Sequence, residues 1–361
     1  MNAGVGDSAR PHDCPVPAGF GSLVEAVRTN CHISDARHAQ DLTLCTYLLA
    51  MRELFRWEAR VPLGEEPPRK EVGRWIAERE ALWETLGTSE FVAVPVDGEV
   101  FDPFNANAIN ARLLGHGLVY GAGLGRFAKP HFFLGELQRR EQRDAVEVLV
   151  VAQEFAHDLQ AFPASLQGAR MFLRMESFER WLWSKAETWD HNRGDGAMGA
   201  ALAAYGFADD PHLALARMAE AQGETLILHE LGEHAAGGLL GPGWKDMLAN
   251  LADRRAELLA RAVRDHLADC LVTLPALIDR KASASLHFWF ANLEGLRREL
   301  FPRLARAYDD WRSSQDLAAL GSAVADGREH WRQVALDLLD LHRHAAPGKA
   351  ALGWPALPVL D

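Results

Sequence analysis

Between Ala145 and Ala152 the chain reads AVEVLVVA, a run that is β-branched and nearly all apolar. A strand buried on both faces has this composition, because neither of its faces has to meet water. Upstream, Phe91 to Val96, the dipeptide Asp97-Gly98, and Val100-Phe101 read as two short strands joined by a two-residue turn. Asp-Gly readily supplies the positive φ angles that such a turn requires. These stretches predict a small sheet in the middle of the chain, at about residues 90–155.

The texture on either side is helical. In SDARHAQDLTLCTYLLAMRELFRWE, Ser34 is the expected N-cap, and Leu44, Tyr47, Leu48, Met51, Leu54 and Phe55 recur at three- and four-residue steps. A second helix is predicted from about Lys70 to Leu86. From about 166 the chain reads as helical nearly to its end, with Met171, Met175, Phe178, Leu182, Ala186 and Trp189 on one face of RMFLRMESFERWLWSKAETW. Further helices are expected near 210–237, 244–273, 283–300, 303–312 and 328–344. The expected fold class is therefore mainly α, a bundle-like helical array with a small β-containing segment. Its divisions are a disordered leader (1–20), an N-terminal helical region (21–89), a small α+β segment with a Gly-rich loop (90–165), a C-terminal helical domain (166–345) and an irregular tail (346–361).

Charge and cysteine usage narrow the setting. Fifty acidic against 38 basic residues give a net charge of -12, so nothing global attracts a polyanion, and neither nucleic acid nor a membrane is an expected partner. No window reaches the roughly 18 to 20 apolar residues of a membrane span, and the first residues lack the apolar core of a secretory signal. Cys14, Cys31, Cys45 and Cys270 are irregularly spaced and form no CxxC pair. Free thiols in a reducing cytoplasm are the simplest expectation.

The densest group of ligands and proton carriers is TLILHELGEHA, Thr225 to Ala235. Its spacing matches neither HExxH nor the inverted HxxEH, which disfavours a metallopeptidase. Helical geometry pairs His229 with Glu233 and Glu230 with His234 at i,i+4, although a wheel places all four off the main apolar face. The companion segment is stronger. If residues 248–273 are one helix phased on Leu251, Asp269 falls in the centre of the apolar stripe with Asp265 beside it. A desolvated carboxylate needs an ion pair, a hydrogen bond or a metal. Arg255 or a neighbouring helix cap would supply a structural partner. Alternatively, His229, Glu233, Asp265 and Asp269 would ligate a divalent metal (Mg, Mn or Fe), with Glu230 or His287 moving protons.

Three other groups carry weaker expectations. Gly121, Gly123 and Gly125, with Arg126 and Lys129, could cradle a phosphate, yet GxGxG is neither the dinucleotide nor the P-loop pattern. A glycine-rich turn at a crowded strand end is the alternative. Glu154-x-x-His157 and Glu230-x-x-x-His234 are similar to the spacings of di-iron bundles. Cys31 lies near His32, Asp35 and His38, where either a thiolate nucleophile or a helix cap would use the same residues.

The runs NCHISDARHAQDLTLCTYLLAMRELFRWE and RAVRDHLADCLVTLP, with LHELGE between them, resemble a bacterial family of unknown function. That resemblance implies no activity, cofactor or site. The leading functional expectation is a metal-dependent enzyme, hydrolytic in type, acting on a small molecule. The rival is a helical scaffold or adaptor that binds a protein partner, in which the same residues form structural ion pairs.

Overall fold

The computed structural model of the chain describes residues 18–125, 128–191, 194, 196–251, 253–344 and 359–361. Most of the expected leader (1–17), Arg126 of the glycine-rich segment and residues 346–358 of the expected tail lie outside them. The chain runs α1 (Gly21–His38), α2 (Leu44–Glu58), α3 (Arg69–Leu86), β1 (Val94–Val96), β2 (Glu99–Phe101), α4 (Ala106–Leu113), β3 (Leu118–Leu124), β4 (Pro130–Arg143), β5 (Val146–His157), β6 (Ala164–Gln167) and β7 (Arg170–Arg174). Helices follow: α5 (Met175–His191), α6 (Ala197–Tyr205), α7 (Pro211–Leu240), α8 (Pro242–Asn250), α9 (Arg254–Ala268), α10 (Leu274–Asp279), α11 (Ser283–Ala291), α12 (Gly295–Leu300), α13 (Pro302–Ser314) and α14 (Ala318–His344). The fold is mainly α with a β-containing middle segment.

Local chemistry accounts for the strand pattern. β1 and β2 pair antiparallel with Val96 opposite Glu99, and the turn residues Asp97 and Gly98 take φ of 52° and 80°. The larger sheet has the order β3-β4-β5-β7-β6, with β3 antiparallel to β4. Along β3 and β4, Leu118, Tyr120, Ala122, Phe132 and Leu134 share one core with Leu23, Val27, Val94 and Ile109. Val119 and Phe133 face the other way, into a cluster with Leu149, Val151 and Phe172. Burial on both faces is what the apolar run in β5 requires.

Where element bounds differ from expectation, the cause is local. Ser34 is not an N-cap: it lies inside α1, and its hydroxyl donates to the Pro130 carbonyl. Thr43 caps α2 instead, accepting from the Thr46 amide at 3.3 Å. Residues 164–174 form β6 and β7 rather than helix; Met171, Phe172 and Leu173 are buried in succession, as in a strand covered on both faces. The helix expected at 244–273 is broken, because α8 ends at Asn250 and the Asp253 carboxylate caps a new helix by accepting from the Arg255 amide at 3.0 Å.

Gly121 and Gly123 lie within β3, and the phosphate-cradle expectation for Gly121, Gly123, Gly125 and Lys129 gives way to packing. A Cβ at Gly121 would lie 2.0 Å from the Phe133 ring, and one at Gly125 would lie 2.5 Å from the ring of His131. The Lys129 ammonium donates to Asp35 at 3.0 Å, with Asp158 at 3.8 Å.

The chain forms two compact units: residues to 141 with 148–163 and 172–183, and residues 142–147 and 164–171 with 184 onward. In the first, buried charges are paired. Besides the Asp35–Lys129 pair, Asp158 holds the Nδ1 of His131 at 3.0 Å and accepts from the Phe132 and Gln160 amides, while Glu154 is held by Arg174 and Ser177. Glu154 and His157 are therefore strand residues, and the di-iron spacing has no helical frame. Cys31 is buried, and burial with the nearby carboxylates pushes its thiol well above the usual range, which removes it as a nucleophile. The second unit is built mainly of helices around a core that includes Trp244, Met247, Leu267, Phe301 and Trp331. Among the described residues, no helix is long and apolar enough to cross a membrane.

Two predictions follow from packing. Gly121→Ala should cost about 1–3 kcal/mol in urea unfolding, and inorganic phosphate should not change that cost. His266 is fully buried, stacks on Trp331 at 4.8 Å and meets the Arg297 carbonyl at 2.9 Å through Nε2. Burial, aided by the Arg297 charge, lowers its pKa to about 3, so the imidazole is neutral in the fold and takes a proton on unfolding below about 6.5. Its contribution is complete above that pH and is lost as pH falls toward 3. His266→Gln should flatten the dependence of unfolding free energy on pH in this window by up to about 1.4 kcal/mol per pH unit.

Candidate functional site

A glycine in mid-helix costs roughly 1 kcal/mol relative to alanine. Gly232, in the middle of α7, has a steric reason to be there. A Cβ at this position would lie 2.4 Å from the carbonyl oxygen of Ala268, the last residue of α9. The two segments thus meet backbone to backbone. Directly after the contact, Asp269–Thr273 form a π-helical turn, a local widening often found at functional sites. The crossing sets His229, Glu230 and Glu233 of α7 against Asp265 of α9 and Asp269 of the turn.

Asp269 is the buried anchor, with 0% of the residue exposed. Its Oδ1 lies 2.8 Å from Nδ1 of His229, and its Oδ2 accepts from Nη2 of Arg297. Burial opposes its ionisation, but His229 and Arg297 outweigh that and hold the carboxyl well below its ordinary range. With Nδ1 on Asp269, the Nε2 of His229 faces Glu233 at 3.7 Å. Arg264 donates from Nη2 to Glu233 at 2.6 Å and to Asp265 at 3.4 Å. One ligand atom each of His229, Glu233 and Asp265 lies within 4.8 Å of the other two.

The titration of these groups is split by their surroundings. Burial disfavours the imidazolium of His229, yet the carboxylates of Asp269 and Glu233 raise its pKa well above 6.5. Glu233 is drawn down to about 2 against the effect of burial, through its contacts with His229 and Arg264. Asp265 moves up, chiefly by burial and by the Glu233 charge. Glu230 is 8% exposed and, among the described residues, has neither a hydrogen bond nor an ion pair. Burial and the nearby Glu233 carboxylate raise it to about 7, where it can give or take a proton near neutrality.

The structure therefore brings together five of the residues singled out in the sequence: His229, Glu230, Glu233, Asp265 and Asp269. His287 does not join them. Its Nδ1 lies 3.0 Å from the Tyr308 hydroxyl and its ring stacks on Trp311 at 4.7 Å. Arg255 is exposed in the first turn of α9 and is not the partner of Asp269, because at about 1.5 Å of rise per residue the length of that helix separates them. The wheel also misjudged α7: Glu230 is buried because α9 covers that side of α7 as well. Sequence reasoning missed Arg264, Arg297 and Gly232. For Gly232 a signal existed, a glycine inside a helical pattern between two ligand types; Arg297 is 28 residues from Asp269 and carries none.

The donor set suits a divalent ion. One imidazole and two carboxylates would leave coordination positions for water and substrate, and this mixture fits Mn, Fe or Zn as well as Mg. Asp269 is then the carboxylate that orients the histidine, a common arrangement behind metal-bound imidazoles, rather than a fourth ligand.

Two family models match the chain. The N-terminal domain of a family of unknown function, DUF6866, matches residues 22–174, and the C-terminal domain of the same family matches residues 179–353. No curated protein and no solved structure matches.

The backbone contact at Gly232 can be tested directly. Gly232→Ala should destabilise the protein by about 1–3 kcal/mol in urea unfolding despite the better helix propensity of alanine. By separating His229 from Asp269 it should also bring the His229 imidazole, followed by NMR, back toward its ordinary pKa of 6.5.

Proposed function

We propose, for a chain that belongs to the DUF6866 family and takes no activity from it, a divalent-metal-dependent enzyme of hydrolytic type. His229 Nε2, Glu233 and Asp265 would hold the ion, Asp269 would fix the imidazole, and Glu230 would carry the proton. The observation that carries this reading is the convergence of those three ligand atoms beside an unpartnered buried carboxyl. A divalent ion at such a centre supplies a bound water of lowered pKa and polarises the substrate. The chain's own contribution is orientation. Asp269 keeps Nδ1 of His229 occupied, so that Nε2 is the nitrogen presented to an ion.

Binding has a cost that can be measured. In the metal-free protein His229 is held protonated and Arg264 lies on both carboxylates, so an ion must expel one and displace the other. The free thiols Cys31, Cys45 and Cys270 support a reducing setting, and we place the protein in the bacterial cytoplasm.

The competing reading is a helical scaffold in which the cluster is a structural network. It is favoured by Arg264 and Arg297, which already pair with three carboxylates. Thermal melts separate the two. Excess Mn²⁺ at about one hundred times its dissociation constant should stabilise the protein by about 2.7 kcal/mol, and His229→Ala should abolish the gain. Calorimetry in buffers of different ionisation enthalpy should show about one proton released per ion. Protein purified without chelator that carries substoichiometric metal, and shows no response to Mn²⁺, Mg²⁺ or Zn²⁺, would establish the scaffold.

A further inference from the structure

We propose that the second unit binds a small free amino acid with an apolar side chain, in a cavity formed by the start of α6, the end of α11 and the helices α12 and α13. This cavity has a volume of about 220 Å³. A site of about 150 Å³ holds a benzene-sized molecule, and drug-sized ligands need about 300 Å³ or more, so the space suits a ligand between the two. None of the residues that line it belongs to the cluster of His229, Glu233, Asp265 and Asp269, and neither site needs the other.

The floor is aromatic and held in place. Phe290 and Tyr308 stack with ring centroids 4.1 Å apart, and Leu293 completes the apolar lining. The Tyr308 hydroxyl meets Nδ1 of His287 at 3.0 Å, and its ring packs on Trp311 at 5.7 Å, so the plate is formed before a ligand arrives. His287, which takes no part in the metal cluster, is thereby a residue that fixes this ring. Gly196 and Ala197, at the start of α6, make a wall without a large side chain.

The rim carries unlike charges. Arg298 and Arg312 line the cavity together with Asp309. Among the described residues, the side chains of Arg298 and Asp309 have neither a hydrogen bond nor an ion pair, while Arg312 lies 5.8 Å from the centre of the Tyr308 ring. A simple anion would meet the Asp309 carboxylate, and a simple cation would meet two guanidiniums. A zwitterion satisfies both signs: its carboxylate accepts from the fork of Arg298, and its ammonium donates to Asp309. The apolar side chain of the ligand then covers Phe290, Leu293 and Tyr308, whose rings also attract the ammonium. At the start of α6, Gly196 has no side chain to cap the helix, which adds to the attraction for the carboxylate.

The test uses the full chain and calorimetric titration with L-phenylalanine and L-leucine. At least one is expected to bind with a dissociation constant of about 1 mM or below. The tighter of the two is then compared with its amide, which lacks the carboxylate, and with its des-amino counterpart, which lacks the ammonium; each should bind at least about tenfold more weakly. Arg298→Gln is expected to remove the preference over the amide and to leave that over the des-amino compound, and Asp309→Asn to do the reverse. Both residues are exposed, so neither variant disturbs the core. Failure of both amino acids to bind at that level, an analogue that binds as tightly as the amino acid itself, or variants that keep both preferences would overturn the proposal.

Discussion

The approach of α7 to the end of α9 is possible only where one helix has no side chain. At Gly232 the distance available to a Cβ, 2.4 Å from the Ala268 carbonyl oxygen, is well inside van der Waals contact. Everything in the second unit's polar cluster depends on that approach. Moved apart by the width of a methyl group, His229 would lose Asp269, and Asp269 would be left buried with Arg297 as its remaining hydrogen-bond partner. Glu230 would gain water and lose the burial that raises it toward neutrality. A single steric constraint thus sets the distances and, through burial, the protonation states.

Close approach works in the same way in the first unit, though its outcome is different. There Gly121 gives room to the ring of Phe133, and three buried carboxylates of that unit each have several partners. Asp158 accepts from the imidazole of His131 and from two backbone amides, Asp35 accepts from Lys129 and from the Leu159 amide, and Glu154 is held by Arg174 and Ser177. Partners of this kind hold Glu154 and Asp158 below the ordinary carboxylate range against the effect of burial, while burial raises Asp35 to about 6 despite Lys129. In the second unit Glu230, 8% exposed, has no such partner among the described residues.

How much of this was legible in the sequence depended on whether the deciding contact was local. Asp97-Gly98 specifies its own turn, and the apolar run in β5 specifies burial on both faces, so both were read correctly. Period alone placed Asp269 in an apolar stripe, and its burial followed even though the phase came from Leu251, outside the helix. The strands at 164–174 were missed because Met171 and Met175 happen to keep helical spacing across the junction of β7 with α5. The glycine-rich stretch left two readings open, because glycines that make room for rings across a ladder look, in one dimension, like glycines that make room for a ligand; the crowding at Gly121 and Gly125 matches the crowded strand end. Arg264 and Arg297 could not be found at all. Their partners lie 31 and 28 residues away, and nothing in local periodicity encodes such a pairing.

Those arginines also bear on why ion pairing does not decide between a scaffold and an enzyme. Buried pairs are weak evidence for a stabilising role, since desolvation of both charges offsets most of their attraction. A network selected for packing would have no reason to retain Glu230, whose burial without a partner opposes folding whenever it is ionised. Nor would it gain from leaving the Nε atoms of Arg264 and Arg297 without acceptors. A buried carboxyl without a donor and two guanidiniums that each keep an Nε without an acceptor, grouped around one imidazole whose Nε2 faces Glu233, form a set of unmet valences rather than a closed network. On the proposed reading, a divalent cation is what His229, Glu233 and Asp265 together would hold.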